Sequence, residues 1–328
     1  MMRAPAFWWT PRPGLSAWVL APISWIWGYV AGRRMARHGE TIAAPVICVG
    51  NFVVGGAGKT PVALAIAEIL QGRGLKPAFL SRGHGGSLGA SPVLVDASRH
   101  GAADVGDEPL LLARRASTFV ARDRVAGARA AAAAGAEAII MDDGLQNPSL
   151  AKRLTVAVVD ADVGVGNGRC LPAGPLRAPL TAQWARVDAV VLVGEGSAGD
   201  TVALSAAAYG KPVFRARLAP DPGVAVGLVG RKVLAFAGIG RPGKFFSTLV
   251  EIGADIVAGF PFPDHHAYTR RDIDALVARA RELEAIPVTT EKDAARIAGR
   301  PEIRFLPVRI VFDDPAGFES LIESALGR

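Results

Sequence analysis

The stretch "PVICVGNFVVGGAGKTP" (45–61) limits what this chain can fold into more than any other part of it. An apolar, β-branched run predicts a strand over 45–51. A glycine-rich turn follows, and Gly58-Lys59-Thr60 opens a helical pattern. Strand, glycine turn and helix in direct succession are the building unit of a parallel sheet with helical crossovers. The same geometry makes an anion site. The amides of Gly55, Gly56, Ala57 and Gly58 converge with a helix N-terminus, Lys59 can reach the β- and γ-phosphates of a nucleotide, and the Thr60 hydroxyl can ligate Mg2+. Pro61 falls in the first helical turn, where a missing N–H costs nothing. The strict P-loop spacing has glycine at position 53. This chain has Val53, so Gly55 and Gly56 must supply the flexibility.

Further strands are expected at 77–83, 117–123, 136–143, 154–161 and 188–195, with helical runs such as 61–73 and 124–134 between them. Continuous apolar strands alternating with helices imply an α/β fold of P-loop NTPase type, a parallel sheet with helices on both faces. The Gly/Pro-rich segment 217–232 interrupts the rhythm and is read as the approach to a second, smaller α/β unit. Strands there are expected in "KVLAFAGIG", "DIVAGFPFP", "IPVTTEKD" and "IRFLPVRIVF", with helices at 269–284 and 315–327. The expected organisation is an apolar N-terminal segment (1–40), a core domain (41–220) and a second domain (221–328) that completes a cleft. The chain's 328 residues, half of them hydrophobic, suffice for two cores and exclude a disordered protein.

Five of the six Trp lie within the first 27 residues, and the uncharged stretch 15–32 is followed at once by "RRMAR". A Trp-rich apolar segment followed by arginines suits membrane attachment, as a barely long enough spanning helix interrupted by Pro22 or as a helix lying in the interface, with the rest of the chain on the cytoplasmic side. No clear cleavage site marks it as a signal peptide. The formal charge of +7 favours an anionic partner, but no basic run alternates with aromatics, so nucleic acid is not expected. Cys48 and Cys170 fit neither a disulfide framework nor a metal spacing.

Acids complete the candidate site. "AIIMDDG" (138–144) ends an apolar strand in Asp142 and Asp143, where one would hold Mg2+ and the other could orient an acceptor. "GDEP" places Asp107 and Glu108 at a helix start, which by itself is ordinary capping. Asp264, His265 and His266 lie on a Pro-rich loop, where an Asp–His pair suits acid–base work better than a zinc site. A Gly/Pro loop at 167–180 carries Arg169 and Arg177, possible anion contacts.

The motifs "VGNFVVGGAGKTP", "LSRGHGG", "GDEP", "MDDGLQ", "LPAGPLR", "GIGRPGKFF", "FPDHHAYT" and "TEKDAAR" occur in this order over residues 49–296. Together they resemble the tetraacyldisaccharide 4′-kinase family, the lipid A 4′-kinases. The resemblance implies transfer of the γ-phosphate of ATP to the 4′-hydroxyl of a tetraacylated glucosamine disaccharide 1-phosphate. It implies this at the cytoplasmic face of a bacterial inner membrane, with Mg2+ as cofactor and no obligate protein partner. It implies Lys59 and Thr60 on phosphate and metal, Asp142 on the metal side beside Asp143, Asp107 as catalytic base with Glu108 next to it, and His265 orienting that base. Arg82, Arg177 and Asp264 are expected to support substrate. The chain departs from the family pattern at His84, where the family has tyrosine, and at Ala178, where it often has glutamate. The competing reading is a membrane-recruited P-loop ATPase or GTPase acting as a switch, which needs no base aimed at a sugar hydroxyl.

Overall fold

The computed structural model describes residues 4–297 and 299–327. Its strands are β1 (Val46–Gly50), β2 (Pro77–Ser81), β3 (Val93–Leu94), β4 (Ser117–Val120), β5 (Ala138–Asp142), β6 (Leu154–Asp160), β7 (Ala189–Val193), β8 (Val213–Pro220), β9 (Lys232–Ala237), β10 (Asp255–Pro261), β11 (Ile286–Thr290), β12 (Arg304–Leu306) and β13 (Val308–Phe312). They form a nine-stranded sheet, ordered β13-β8-β7-β6-β1-β5-β2-β4-β3, and a four-stranded one, ordered β10-β9-β11-β12. From β8 to β4 the large sheet is parallel, and only its edge strands β13 and β3 pair antiparallel. The second sheet is wholly parallel. Strands β1, β5, β6 and β7 are buried along their whole length. Both faces are covered, which is why they read as unbroken apolar runs.

The helices are α1 (Leu15–Val19), α2 (Ala21–Met35), α3 (Lys59–Gly72), α4 (Ala102–Val105), α5 (Asp107–Ala113), α6 (Arg124–Ala133), α7 (Leu180–Trp184), α8 (Ser197–Ala208), α9 (Pro222–Val226), α10 (Pro242–Glu251), α11 (Arg270–Glu282), α12 (Glu291–Ala294) and α13 (Pro315–Ala325). On one face of the large sheet, Val62, Ile66 and Leu70 of α3 pack with Phe318 and Ile322 of α13. On the other, α6 covers β2 and β4, while Trp184 of α7, Val202 of α8 and Met35 of α2 cover β6 and β7. Asp123 caps α6 by accepting from the amides of Val125 and Ala126, and a Thr269–Asp272 capping box starts α11.

Three sequence expectations change. The irregular stretch expected from 217 begins later, because β8 runs on to Pro220 as an internal strand of the large sheet. The single strand expected in "IRFLPVRIVF" is two, split at Pro307. Lacking an N–H, proline cannot continue the β12 ladder, and its carbonyl accepts instead from the Asp221 amide at 2.9 Å. Beyond it, β13 crosses back to pair with β8 of the first sheet, and α13 buries Phe318 and Ile322 in the first core. The second unit therefore does not extend to the end of the chain as 221–328 assumed. The apolar segment 15–32 is also divided, into α1 and α2, with Pro22 in the first turn of α2. Among the described residues no helix is long and apolar enough to cross a membrane.

Candidate functional site

The glycine turn lies between β1 and α3. Buried Asn51 donates to the Gly55 carbonyl (3.1 Å) and spans the loop. Val53 forms an isolated antiparallel bridge with Leu176, and the Val54 amide donates to the Pro175 carbonyl at 2.9 Å. Val53 thus packs into the core as a short strand would, and position 53 has no need of glycine. The left-handed turns fall later, at Gly55 (φ 111°) and Gly58 (φ 86°). No heavy atom lies within 4 Å of where a Cβ on Gly55 or Gly56 would be, so the loop's concave side is open to a ligand. Ala57 is buried beneath the turn, and Lys59, Thr60 and Pro61 are the first three residues of α3, where the Lys59 and Thr60 amides have no intrahelical acceptor and Pro61 has no N–H to satisfy.

Lys59 is buried and stands 3.7 Å from Asp143 Oδ1. Arg177 Nη1 donates to the same oxygen at 2.6 Å, and its Nε donates to the Val53 carbonyl at 3.0 Å. Burial would raise the Asp143 carboxyl, but Lys59 and Arg177 hold it below the usual carboxylate range. Asp142, at the end of β5, differs. Burial first, then the Glu108 charge, push it up to about 7, and its Oδ1 is buried without a hydrogen-bond partner. An orphaned, hard carboxylate oxygen at the strand end beside Lys59 is chemically suited to a cation that also binds phosphate. Among the described residues no cluster of three or more acids, His or Cys could cage a metal unaided, and a magnesium ion that keeps waters and substrate oxygens needs none.

The second cluster joins the two sheets. Gly106 (φ 91°) turns the chain into α5, so that Asp107, 5% exposed, points toward the second unit. Its Oδ1 accepts the Glu108 amide at 3.0 Å. Its Oδ2 accepts from Arg296 Nε at 2.9 Å and from Arg296 Nη2, and lies 3.1 Å from His265 Nδ1 and 4.0 Å from Lys292 Nζ. Burial acts to raise the Asp107 carboxyl. The His265 hydrogen bond and the Lys292 and Arg296 charges outweigh it and hold the group well below the usual carboxylate range. Lys292 donates to Glu108 Oε1 at 2.9 Å. Arg296 also donates to the Gly238 carbonyl and to Asp293, 2.9 Å each. Asp293 is fully buried and accepts further from the Gly238 amide, Tyr268 and Thr290. His265, at φ 57°, is fixed by its amide donating to the Gly238 carbonyl (3.0 Å), and its Nε2 faces Asp264 Oδ1 at 3.9 Å.

The fold therefore brings Lys59, Asp142, Asp143, Arg177, Asp107, Glu108, His265 and Asp264 toward one crevice at the carboxyl ends of the strands. His266 is not part of it: it pairs with Asp272 (3.3 Å) and stacks on Phe262. Arg82 is exposed and makes no ion pair among the described residues. His84 is exposed, its ring 6.0 Å from that of His265. Sequence reasoning missed Lys292 and Arg296, although "TEKDAAR" held the signal: a strand end, a Thr cap and two cations four residues apart, one helical turn. It also missed Arg241 and Lys244 at the start of α10, each 2.7 Å from Asp160 at the end of β6. In the Lys292–Glu108, Arg296–Asp107, Arg241–Asp160 and Lys244–Asp160 contacts the cations come from the second unit and the anions from the first.

Comparison with known proteins gives one answer throughout. Residues 16–327 match the family profile of tetraacyldisaccharide-1-P 4′-kinase. A tetraacyldisaccharide 4′-kinase of Methylobacterium nodulans is 58% identical over 314 residues, covering 96% of this chain and 93% of the relative. One of Methylorubrum populi is 54% identical over 329 residues, covering all of both. A crystal structure described as the "apo" form of LpxK from Aquifex aeolicus in complex with ATP shares the fold, with a TM-score of 0.72 and 24% identity over 94% of this chain and 99% of that one. The chain belongs to the tetraacyldisaccharide 4′-kinase family.

Proposed function

We infer that the chain uses ATP to phosphorylate the 4′-hydroxyl of a tetraacylated glucosamine disaccharide 1-phosphate, at the cytoplasmic surface of a bacterial inner membrane. The observation that carries this reading is the pair of buried Asp107 and half-buried His265, 3.1 Å apart. A sugar hydroxyl must lose its proton as the new bond forms, and an ATPase switch has no use for such a pair. Asp107 alone is a weak proton acceptor because its neighbours hold it ionised. His265, whose Nδ1 lies 3.1 Å from the carboxylate, adds a second base beside it. Arg296, locked by Asp293 and Gly238, aims the carboxylate. The loop amides of 55–58 and Lys59 bind the phosphates, and Arg177 keeps Asp143 in register with Lys59. Thr60 and Asp142 would hold Mg2+, which when bound draws charge from the phosphate oxygens.

The N-terminal helices support attachment to the membrane surface. Ala17, Ala21, Ser24 and Gly28 face the body, while Trp18, Ile23, Trp25, Ile26 and Val30 face outward, Ile26 68% exposed. Large apolar residues outside and small ones inside suit a helix pair whose outer face meets acyl chains and whose arginines meet headgroups. The test is transfer from γ-labelled ATP to a purified lipid A disaccharide 1-phosphate. Label is expected at the 4′ position and lost in Lys59→Ala. Hydrolysis that proceeds equally well without acceptor would overturn the reading.

A further inference from the structure

The transferring phosphoryl group carries charge on three equatorial oxygens, and Lys59 and a magnesium ion at Thr60 and Asp142 would both meet it from the nucleotide side. A cation on the acceptor side would neutralise it further. Arg177 is committed to Asp143 and the Val53 carbonyl. Arg124 is buried with its Nη1 on the Ala121 carbonyl. Arg296 is spread over Asp107, Asp293 and Gly238. Lys292 is held differently: a single hydrogen bond to Glu108 Oε1 at 2.9 Å, with Asp107 Oδ2 4.0 Å away. Glu108 in turn lies within the field of Lys59 as well as Lys292, and Asp142 lies within that of Glu108. The Lys292 ammonium therefore lies against both Asp107 and Glu108, and Glu108 also feels the charge of Lys59.

We propose that Lys292 is a catalytic residue, delivered by the second unit, whose ammonium exchanges Glu108 for an oxygen of the γ-phosphate as transfer occurs. The proposal rests on the kinase reading above, with the Asp107–His265 pair on the acceptor side. In the step, the bond from the γ-phosphorus to the bridging oxygen breaks and the bond to the 4′-oxygen forms. The hydroxyl proton passes to the Asp107–His265 pair and ADP leaves. Lys292 contributes charge and no proton. Burial acts to lower its proton affinity, but Glu108 and Asp107 raise it, so it stays an ammonium through neutral pH. A compact, rotatable ammonium on a flexible stem can switch partners, which a forked guanidinium fixed on three groups cannot. Its place one turn before Arg296 means that a single docking of the α12 segment aims the base and brings the cation.

The test separates kcat from nucleotide binding. Lys292→Ala and Lys292→Met should lower kcat at saturating glycolipid about a hundredfold or more. Affinity for a non-hydrolysable ATP analogue, measured by calorimetry, should change by less than about tenfold, because the contact forms in the transition state. Lys292→Cys alkylated with 2-bromoethylamine restores an ammonium at nearly the same reach and should recover at least about tenfold of the lost kcat. The parent chain treated alike controls for Cys48 and Cys170. A kcat within about tenfold of the parent, analogue binding lost in proportion to activity, or no recovery on alkylation would each overturn the proposal. Failure of the kinase reading itself shows separately, as a parent protein that transfers no label to the acceptor.

Discussion

Asp107 is buried among one imidazole, one guanidinium and one ammonium, and those neighbours set both its chemistry and its share of stability. Asp107→Asn keeps the shape and removes the charge. We expect kcat to fall about a hundredfold or more in the labelled-transfer assay, and the loss of one of the two carboxylates on Arg296, with Asp293 remaining, to lower stability by about 1–3 kcal/mol in thermal or urea unfolding. Because the folded-state affinity of Asp107 for a proton is depressed, its stabilisation is full above the ordinary carboxylate range. It is lost as pH falls below about 4, a loss the variant should not show. Asp142 has the opposite sign. Its carboxyl rises from 3.8 to about 7 on folding, so across that window the folded chain holds a proton the unfolded chain has released, and stability declines as pH rises. A cation on Asp142 displaces that proton, so Mg2+ affinity should increase with pH up to about 7. The rise in Tm given by Mg2+ with nucleotide should be larger at pH 8 than at pH 6, and Asp142→Asn should abolish the difference.

At the scale of elements, α2 presents its small residues to the protein. A Cβ on Gly28 would lie 3.3 Å from Cys170 Sγ and 3.4 Å from Pro179 Cγ, so the helix is seated as closely as its side chains allow. Ser24 Oγ donates to the Cys170 carbonyl at 2.8 Å and Trp27 Nε1 to the Arg177 carbonyl at 3.0 Å, which ties α2 to the loop carrying Arg177. The helix proposed to meet acyl chains thus touches the loop that carries Arg177, which pairs with Asp143. Replacing Ile23, Ile26 and Val30 together by serine should release the protein from anionic vesicles in a co-sedimentation assay. Each site is exposed, so the effect on unfolding should stay within about 0.5 kcal/mol per site. Undiminished sedimentation would place the lipid contact on another surface.

For the whole molecule, the decisive feature is the return of the chain after Pro307. β13 pairs with β8 over five residues, from Val308↔Pro220 to Phe312↔Ala216, and α13 closes the core beneath α3. A fragment ending at 220 would expose β8 as a bare sheet edge and lose Phe318 and Ile322, each worth about 1.5–3 kcal/mol of burial. We expect residues 1–220 alone to aggregate or to melt without cooperativity by circular dichroism. The same fragment joined through a flexible linker to 308–327 should recover a sharp transition. A cooperative melt of 1–220 at the parent Tm would show that the return is dispensable. Because the chain enters the second unit after β8 and leaves it before β13, that unit is tethered at adjacent positions of one sheet edge. Its cations can then meet Asp107, Glu108 and Asp160 across the crevice.

Local patterns were sufficient for much of this. β1, the glycine turn and α3 are legible because strand, turn and helix follow one another without a gap, and their chemistry depends on backbone amides that any glycine-rich turn would present. Asp142 and Asp143 are legible because a continuous apolar strand can end in acids only where it emerges from the core. Asp107 is not: at a helix start an acid is ordinary capping, and only the family resemblance singled it out before the fold set Arg296, 189 residues further on, against it. Lys292, the crossing at Pro307 and the extended Val53 belong to the same class. Each depends on which distant segment lies alongside. Sequence periodicity reports the burial of one element, whereas the partner of a charge or of an edge strand is chosen by how the elements pack.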